Sequence, residues 1–552
     1  TQPFPDLDNT ECLIITGANP IISKWCFLQV PHAARHLRQI EARGGKVYFV
    51  DPRQTESAKV AGEHVFIRPN TDVFFFLSFL HELIATGGID RERTERWMTG
   101  LEQLERLVEP WSPDRTAEVT RIPAARLREM VAAHRQARGA ALYSATGVNM
   151  GTNGSLAFWL QECINAISGN LDRKGGTLVS RGVIDFAKFS KKHGMLVQSN
   201  TSRIGSFTSV NDAFPGGILA DEITTPGAQQ IRALFVTGGN PLITMANSGR
   251  LRDAFKELEL LVVTDIFLNE TASLAHYVLP ATSPLQRPDL PFVFPLMLGL
   301  QLKPYLQATE RVIEPEVEQR DEATIYLDLS RASGVNLFGS KVVQVLLEWS
   351  KRVHKARHPH RQPGIPQEWL FSLLLRLTGQ GSFKRLLRSP HGVPRDHHRE
   401  NDFLGKRVVT DDGRVNLAPD VLIEQARRLE SDFSQELANT DRLKLITKRA
   451  VTTHNSWTHN LPDFVKGERG TNYLYAHPDD LARLGLADGA LADVRTEAGE
   501  VRVPVRRLAD LMPGTVALPH GWGHQRARGL SVASQTRGVN VNLLAGSGPE
   551  HI

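Results

Sequence analysis

The sequence predicts an α/β fold of two similar halves followed by a β-rich C-terminal unit, and three observations carry that expectation. The stretch CLIITGANP, from Cys12 to Pro20, repeats as ALFVTGGNP, from Ala233 to Pro241. Each is a short apolar run that breaks into Thr-Gly-small-Asn-Pro, the pattern of a buried parallel strand ending in a loop before a helix. The strand that follows each repeat ends in an acid: KVYFVDPRQTESA supplies Asp51 and LLVVTDIFLNETA supplies Asp265. A Glu-Ser-Ala or Glu-Thr-Ala step comes next, then another apolar run, from Val65 or from Tyr277. From about Leu443 the periodicity changes to the alternation of ALADVRTEAGEVRVPVRR, a hairpin around a Glu-Ala-Gly-Glu turn.

From loop glycine to strand-end acid the spacing is 34 residues for Gly17 and 27 for Gly238, about one βαβ unit of ~30 residues. Two pseudo-symmetric Rossmann-like units are therefore expected. Gly17, Gly238 and Gly239 let the main chain approach a ligand, and a helix after each loop offers free N–H groups and a positive dipole end to phosphate. An acid at the neighbouring strand tip can accept hydrogen bonds from a ribose or from a base N–H pair. Such a unit suits a nucleotide diphosphate, and two units suit two ligands or one pseudo-symmetric ligand. A single Gly-Asn-Pro corner is usually an ordinary tight turn; duplication of both corner and acid is what points to ligands rather than to a plain internal repeat.

Length and composition bound the rest. A chain of 552 residues exceeds one hydrophobic core and should hold three or four domains. Net charge is +5 with no aromatic-interleaved basic stripe, so no nucleic-acid partner is expected. The apolar runs Val73 to Leu80 and Leu290 to Leu302 are shorter than the ~20 residues of a membrane helix, so no direct membrane span is expected. Cys12, Cys26 and Cys163 have no Cys-x-x-Cys spacing, which leaves no disulfide framework, iron–sulfur site or structural zinc site; they read as buried small hydrophobes. The chain opens at Thr1 without Met or a targeting segment and is read as the remainder of a longer protein. A cytoplasmic location is expected, or a periplasmic one if an export signal precedes it.

Taken in order, residues from about Lys24 to Arg43 read as a crossover helix closed by Gly44 and Gly45. Amphipathic helices are expected from Thr71 to about Thr86 and from about Pro123 to Arg138. ALYSATGVNMGTNG repeats the strand-to-glycine-loop theme and places Thr146, Gly147, Asn149 and Met150 at a third loop tip. A helix from about Ser155 to Ser168 ends at Gly169-Asn170 and leads into LDRKGGTLVSRG, where Arg181 is either a solvated loop charge or a fixed cation for an anionic substrate. The Ser/Thr/Asn/Gly-rich segment from Asp185 to Gly227 reads as a long loop of the kind that covers a site. From about Asn336 to Thr440 the chain is helical and basic; the histidines of KRVHKARHPHRQPG lack a metal spacing, which makes this a solvated connector. In the last part THNSWTHN, AHPDDLARLGLADG, PHGWGH and RGVNVNLL put Trp, His and Asn at strand ends, the lining expected for a large polar ligand. The domain bounds expected are 1–181, 182–335, 336–440 and 441–552.

The succession TGANP, VDPRQTESA, SGNLDRKGG, TGGNP, VTDIFLNETASLAHYVLP and then HNSW, HPDDLARLGLADG, PGTVALPHGWGH and GVNVN resembles the molybdopterin oxidoreductases of the dimethyl sulfoxide reductase and formate dehydrogenase class. The resemblance covers nearly the whole chain apart from the connector. It implies a molybdenum or tungsten atom held by two molybdopterin guanine dinucleotides, one on each half, beneath a C-terminal six-stranded β-barrel of the double-psi type. By position it implies Gly17, Asn19, Ser23, Asp51, Arg53 and Asp72 for one dinucleotide and Gly238, Asn240, Thr244 and Asp265 for the other, with Thr146 and Gly147 at the third loop. Barrel contacts are implied for His454, Ser456, Asp479, Trp522 and Asn540, and Arg181 resembles an arginine near the metal, the catalytic candidate.

In that family a segment bearing iron–sulfur cysteines, an electron-relaying Lys and the metal-ligating side chain would precede Thr1. No metal ligand is therefore assigned within the chain, and an iron–sulfur cluster is expected only with such a segment. The implied activity is two-electron oxidation or reduction of a small substrate, such as formate or an oxo compound, with an electron-transfer subunit or carrier as partner. The alternative is a structural or electron-transfer subunit that keeps the fold without the cofactor, as in the large subunit of respiratory complex I. A nicotinamide dehydrogenase is excluded, since neither corner supplies G-x-G-x-x-G.

Overall fold

The computed structural model describes residues 2–25, 30–195, 199–449 and 453–552. In the first half, four parallel strands lie in the order Glu63–Val65, Lys46–Val50, Cys12–Thr16, Ala140–Ser144. Their apolar runs are continuous because both faces are covered. Ile14 faces a core shared with Phe74 to Phe79, whereas Leu13 and Ile15 face Leu37 and Ile40 on the other side, as the two-residue strand period requires. The expected helices occur as Asp72–Ala85, Ala124–Gln136 and Gly154–Ile167. The crossover differs: a single turn, Pro20–Ser23, precedes a separate helix, Ala33–Ala42. Cys12 and Cys163 are buried and free, and Cys26 lies outside the described residues.

The second half has three parallel strands in the order Tyr277–Pro280, Leu260–Asp265, Ala233–Thr237. Here the corner-bearing strand Ala233–Thr237 is an edge, with Phe235 52 % exposed, whereas its counterpart Cys12–Thr16 is central. The repeat therefore extends over corner, strand pair and acid but not over the whole sheet. The segment from Asp185 to Gly227, expected as loop, contains the helices Phe186–Lys192 and Leu219–Thr224.

The C-terminal sheet runs Lys444–Lys448, Thr515–Pro519, Leu474–Ala476, Glu500–Arg507, Leu491–Arg495. The expected hairpin pairs Val494 with Val501 across its turn, and Val501, Val503 and Val505 point inward. Six strands closed into a barrel were expected; the described residues form five strands in an open order.

The connector does more than link. After the helices Lys341–Arg357, Gln367–Leu377 and Phe383–Leu387, the chain returns to the first half and adds Leu404, Leu417, Leu429 and Phe433 to its core. The buried Asp172 carboxylate accepts the backbone N–H groups of Asp402, Phe403 and Leu404 at 3.1, 2.9 and 2.9 Å. Among the described residues no helix is long and apolar enough to cross a membrane.

Candidate functional site

The two corners repeat in atomic detail. Gly17 and Gly238 have φ of 53° and 58°, a left-handed conformation that suits glycine. Their N–H groups donate to Val50 O (3.1 Å) and Thr264 O (2.8 Å) on the acid-bearing strands. Asn19 and Asn240 share nearly the same backbone, φ/ψ of −127°/76° and −129°/72°. The Asn19 amide donates to Glu56 Oε2 at 2.6 Å and the Asn240 amide to Glu270 Oε2 at 2.6 Å. The Asn oxygens accept from Ser57 Oγ (2.7 Å) and Thr271 Oγ1 (2.8 Å), and those hydroxyls in turn accept the N–H of Ile21 (3.0 Å) or Leu242 (3.4 Å). The Glu-Ser and Glu-Thr steps visible in the sequence are thus the braces of the corners. The steps are visible in the sequence, but no local signal there assigns Glu56, Ser57, Glu270 or Thr271 to the site.

Each strand-end acid folds its own turn. Asp51 Oδ1 accepts Arg53 N–H at 2.9 Å, and Asp265 Oδ1 accepts Phe267 N–H at 2.8 Å. Burial pushes Asp51 up to about 7, against the pull of Arg53 and with a push from Asp72 nearby. Asp72, at the start of its helix, is likewise pushed up to about 7 by burial, and Asp265 is raised by burial. These carboxyls, half-buried and strained toward neutrality, gain from N–H donors brought by a ligand. Glu56 moves the other way: burial works to raise it, but the Arg53 guanidinium holds it below the usual carboxylate range.

The helix after each corner is a single turn, Pro20–Ser23 and Pro241–Thr244. One turn adds few aligned dipoles, so the expected dipole contribution gives way to individual backbone N–H groups. Ser23 and Thr244 close these turns through backbone bonds to Asn19 O (2.9 Å) and Asn240 O (3.1 Å). The third loop joins the first corner directly. Gly147 N–H donates to Gly17 O at 3.0 Å, and a Cβ on Gly17 would stand 2.7 Å from Val148 N. Thr146 begins the one-turn helix there and is exposed. Gly238 has open space around the same position.

The C-terminal unit touches both corners. On the first, Gln54 N–H donates to Asp510 O (2.8 Å), Met512 N–H donates to Pro52 O (2.9 Å), and Arg53 bridges to Leu511. On the second, Asn540 donates to Leu242 O and Ser248 Oγ, both at 3.0 Å, and Asn542 donates to Ile243 O at 2.7 Å. Trp457 meets Phe267 edge-on at 6.2 Å, and His454 packs beside Trp457. His454 is exposed and Ser456 half-buried, which leaves both available to a ligand. Trp522 is buried and packs at a tilt against His459, ring centroids 4.2 Å apart, and Asn540 is buried with protein partners, so the structure places both inside the junction. Asp479 is exposed beside His477, 3.4 Å away, at the start of the helix Pro478–Leu484. Arg181 is 68 % exposed and pairs at 3.7 Å with Asp402, near Arg395 and Arg407; its ion pair is not with either corner.

A cavity of about 1100 Å³ is lined by Thr282, Arg287, Arg320, Trp349, His354 and Arg361 among others. Ala281 N–H donates to Asp265 O at 3.1 Å and Thr282 N–H to Arg320 O at 3.2 Å, so the cavity continues the second acid's strand end. Val353 to Gly364, within the basic stretch expected as a solvated connector, contributes much of its lining.

The family model described as molybdopterin oxidoreductase matches residues 1–332, and the model described as molydopterin dinucleotide binding domain matches residues 443–551. The chain is 21 % identical to trimethylamine-N-oxide reductase of Haemophilus influenzae over 93 % of its own length and 66 % of that protein. It is 25 % identical to formate dehydrogenase H of Escherichia coli over 50 % of its length and 40 % of that protein. The structure of acetylene hydratase from Pelobacter acetylenicus superposes on 98 % of the chain and 75 % of the hydratase, with a TM-score of 0.75 at 20 % identity.

Proposed function

Because the chain belongs to the molybdopterin oxidoreductase family, we propose that it is the catalytic large subunit, or its major part, of an enzyme that holds two molybdopterin guanine dinucleotides with molybdenum or tungsten. The observation that carries this reading is the bond-by-bond repeat of the two corners, each with its own acid, against one C-terminal unit. That arrangement fits two similar nucleotide-bearing ligands. Gly17, Asn19, Asp51 and Asp72 would hold one, and Gly238, Asn240 and Asp265 the other. Asp51 and Asp265 accept hydrogen bonds from base or ribose, while the Asn–Glu braces keep the corner backbone from yielding as the ligand enters. When bound, the cofactor supplies two-electron chemistry at its metal.

The chain's own share is binding, orientation and charge. Arg181 is the cation we assign to a small anionic substrate; formate or an oxo compound fits the substrate class. The electron partner is read as a separate subunit or carrier, and the location as cytoplasmic, or periplasmic if exported. The four-unit division at 181, 335 and 440 and a barrel-like C-terminal cover belong to the same reading. The cofactor-free alternative is disfavoured by Asp51 and Asp72, because a discarded site has no physical reason to keep two carboxyls half-buried at such cost. Measuring guanine nucleotide and metal released from protein expressed with ample molybdate or tungstate tests the proposal. Two nucleotides per metal are expected, and absence of both overturns it.

A further inference from the structure

Glu56 and Glu270 brace their corners in the same way but take their countercharge from different parts of the chain. Glu56 pairs with Arg53, three residues earlier, at 3.0 Å. The equivalent position before Glu270 is Phe267, which offers no charge. Instead His524, from the PHGWGH turn of the C-terminal unit, brings Nδ1 to 2.9 Å from Glu270 Oε1, and both side chains are 1 % exposed. His524 Nε2 lies 2.8 Å from Gly521 O and 3.0 Å from His459 Nδ1. The carboxylate and the carbonyl only accept, so both His524 nitrogens are placed to donate, and the bond from His524 holds Glu270 below the usual carboxylate range against the push of burial. Two glycines fix the turn: Gly521 and Gly523 have φ of 88° and 106°, and a Cβ would strike Asn455 O at 2.5 Å or Asn540 Cβ at 2.8 Å. Arg252 feels the Glu270 charge but forms no ion pair with it.

We propose that Glu270 and His524 are positioning residues that form a latch, through which docking of the C-terminal unit sets the Gly238–Asn240 corner for its ligand while the first corner is braced from within its own half. His459 backs His524 from the far side. The consequence for nucleotide retention rests on the proposed function; the mechanical coupling does not.

Hydrogen exchange of residues 238–244 and 17–23 in the full chain, with His524→Gln and Glu270→Gln, separates the two. Either variant should raise exchange at 238–244 by about tenfold or more and leave 17–23 unchanged. Adding Phe267→Arg to His524→Gln supplies the first half's internal cation and should restore most of the protection, which filling a void would not do. Unchanged exchange at 238–244 in both folded variants, or no recovery with Phe267→Arg, overturns the latch. In cofactor-replete protein the single variants should release the second nucleotide selectively. Wild-type protein that holds no nucleotide would defeat the functional reading and leave the exchange result to judge the latch.

Discussion

At the residue scale, identical side chains in the two halves carry different burdens. Gly17 and Gly238 share a left-handed backbone, but Gly17 also abuts Gly147 and Val148 while Gly238 faces open space. Gly238→Ala should therefore cost only the conformational term, about 1–2 kcal/mol. Gly17→Ala adds overpacking and should cost about 2–4 kcal/mol; denaturant unfolding of the two variants checks the order. Asp265 belongs to the proposed ligand site rather than to the scaffold, because the bonds its carboxylate accepts come from Phe267 and Asn269 within its own turn. Asp265→Ala should thus deplete nucleotide and metal with little change in circular dichroism, and full retention would refute its role. Asp51 and Asp72, both raised to about 7, hold protons in the folded chain that the unfolded chain releases near pH ~4. Their contribution to the stability of the ligand-free protein is complete below that pH, falls through pH 7 and is flat above it. Asp72→Asn should remove part of this slope, and the melting temperature followed from pH 4 to 8 would show it.

At the element scale, Asp172 fixes the return of the connector. It is fully buried in a left-handed turn and gathers three backbone N–H groups from residues 402–404. Asp172→Ala would leave those donors unpaired, at about 3 kcal/mol or more. Limited proteolysis should then cut within 399–440 faster in the variant than in the wild-type protein; equal rates would count against this anchoring role. The helices Ala124–Gln136 and Gly154–Ile167 were legible in the sequence because their apolar spacing repeats over several turns, whereas Asp72–Ala85, expected to be amphipathic, is a near-continuous apolar run buried from Val73 to Leu80. In the crossover the helix Ala33–Ala42 and its stop at Gly44 were legible, but the one-turn helix Pro20–Ser23 was not, since such turns are set by packing and carry no periodic signal.

For the whole molecule, the C-terminal unit grips the first corner through 510–512 and the second through His524, Asn540 and Asn542. A ligand in each corner should therefore bind the assembled chain and not its separated parts, and ligand occupied at about 100 times its Kd adds about 2.7 kcal/mol. Calorimetry of loaded against ligand-free protein should show a higher melting temperature and fewer transitions on loading; indistinguishable traces would argue that the unit covers nothing. By itself the sequence determined the parallel strands, the doubled corner and the paired acids, because each is a short run whose chemistry is local: an apolar strand, a positive-φ glycine, a carboxylate at a strand tip. Only the tertiary structure decided which polar groups brace the corners and which are left without a bracing role. Trp522, Asn540 and His524 look alike in sequence, as polar residues at strand ends, and their roles follow from partners that lie 254 to 298 residues away for His524 and Asn540. Long-range pairing sets what a buried polar group must do, and no local pattern records it.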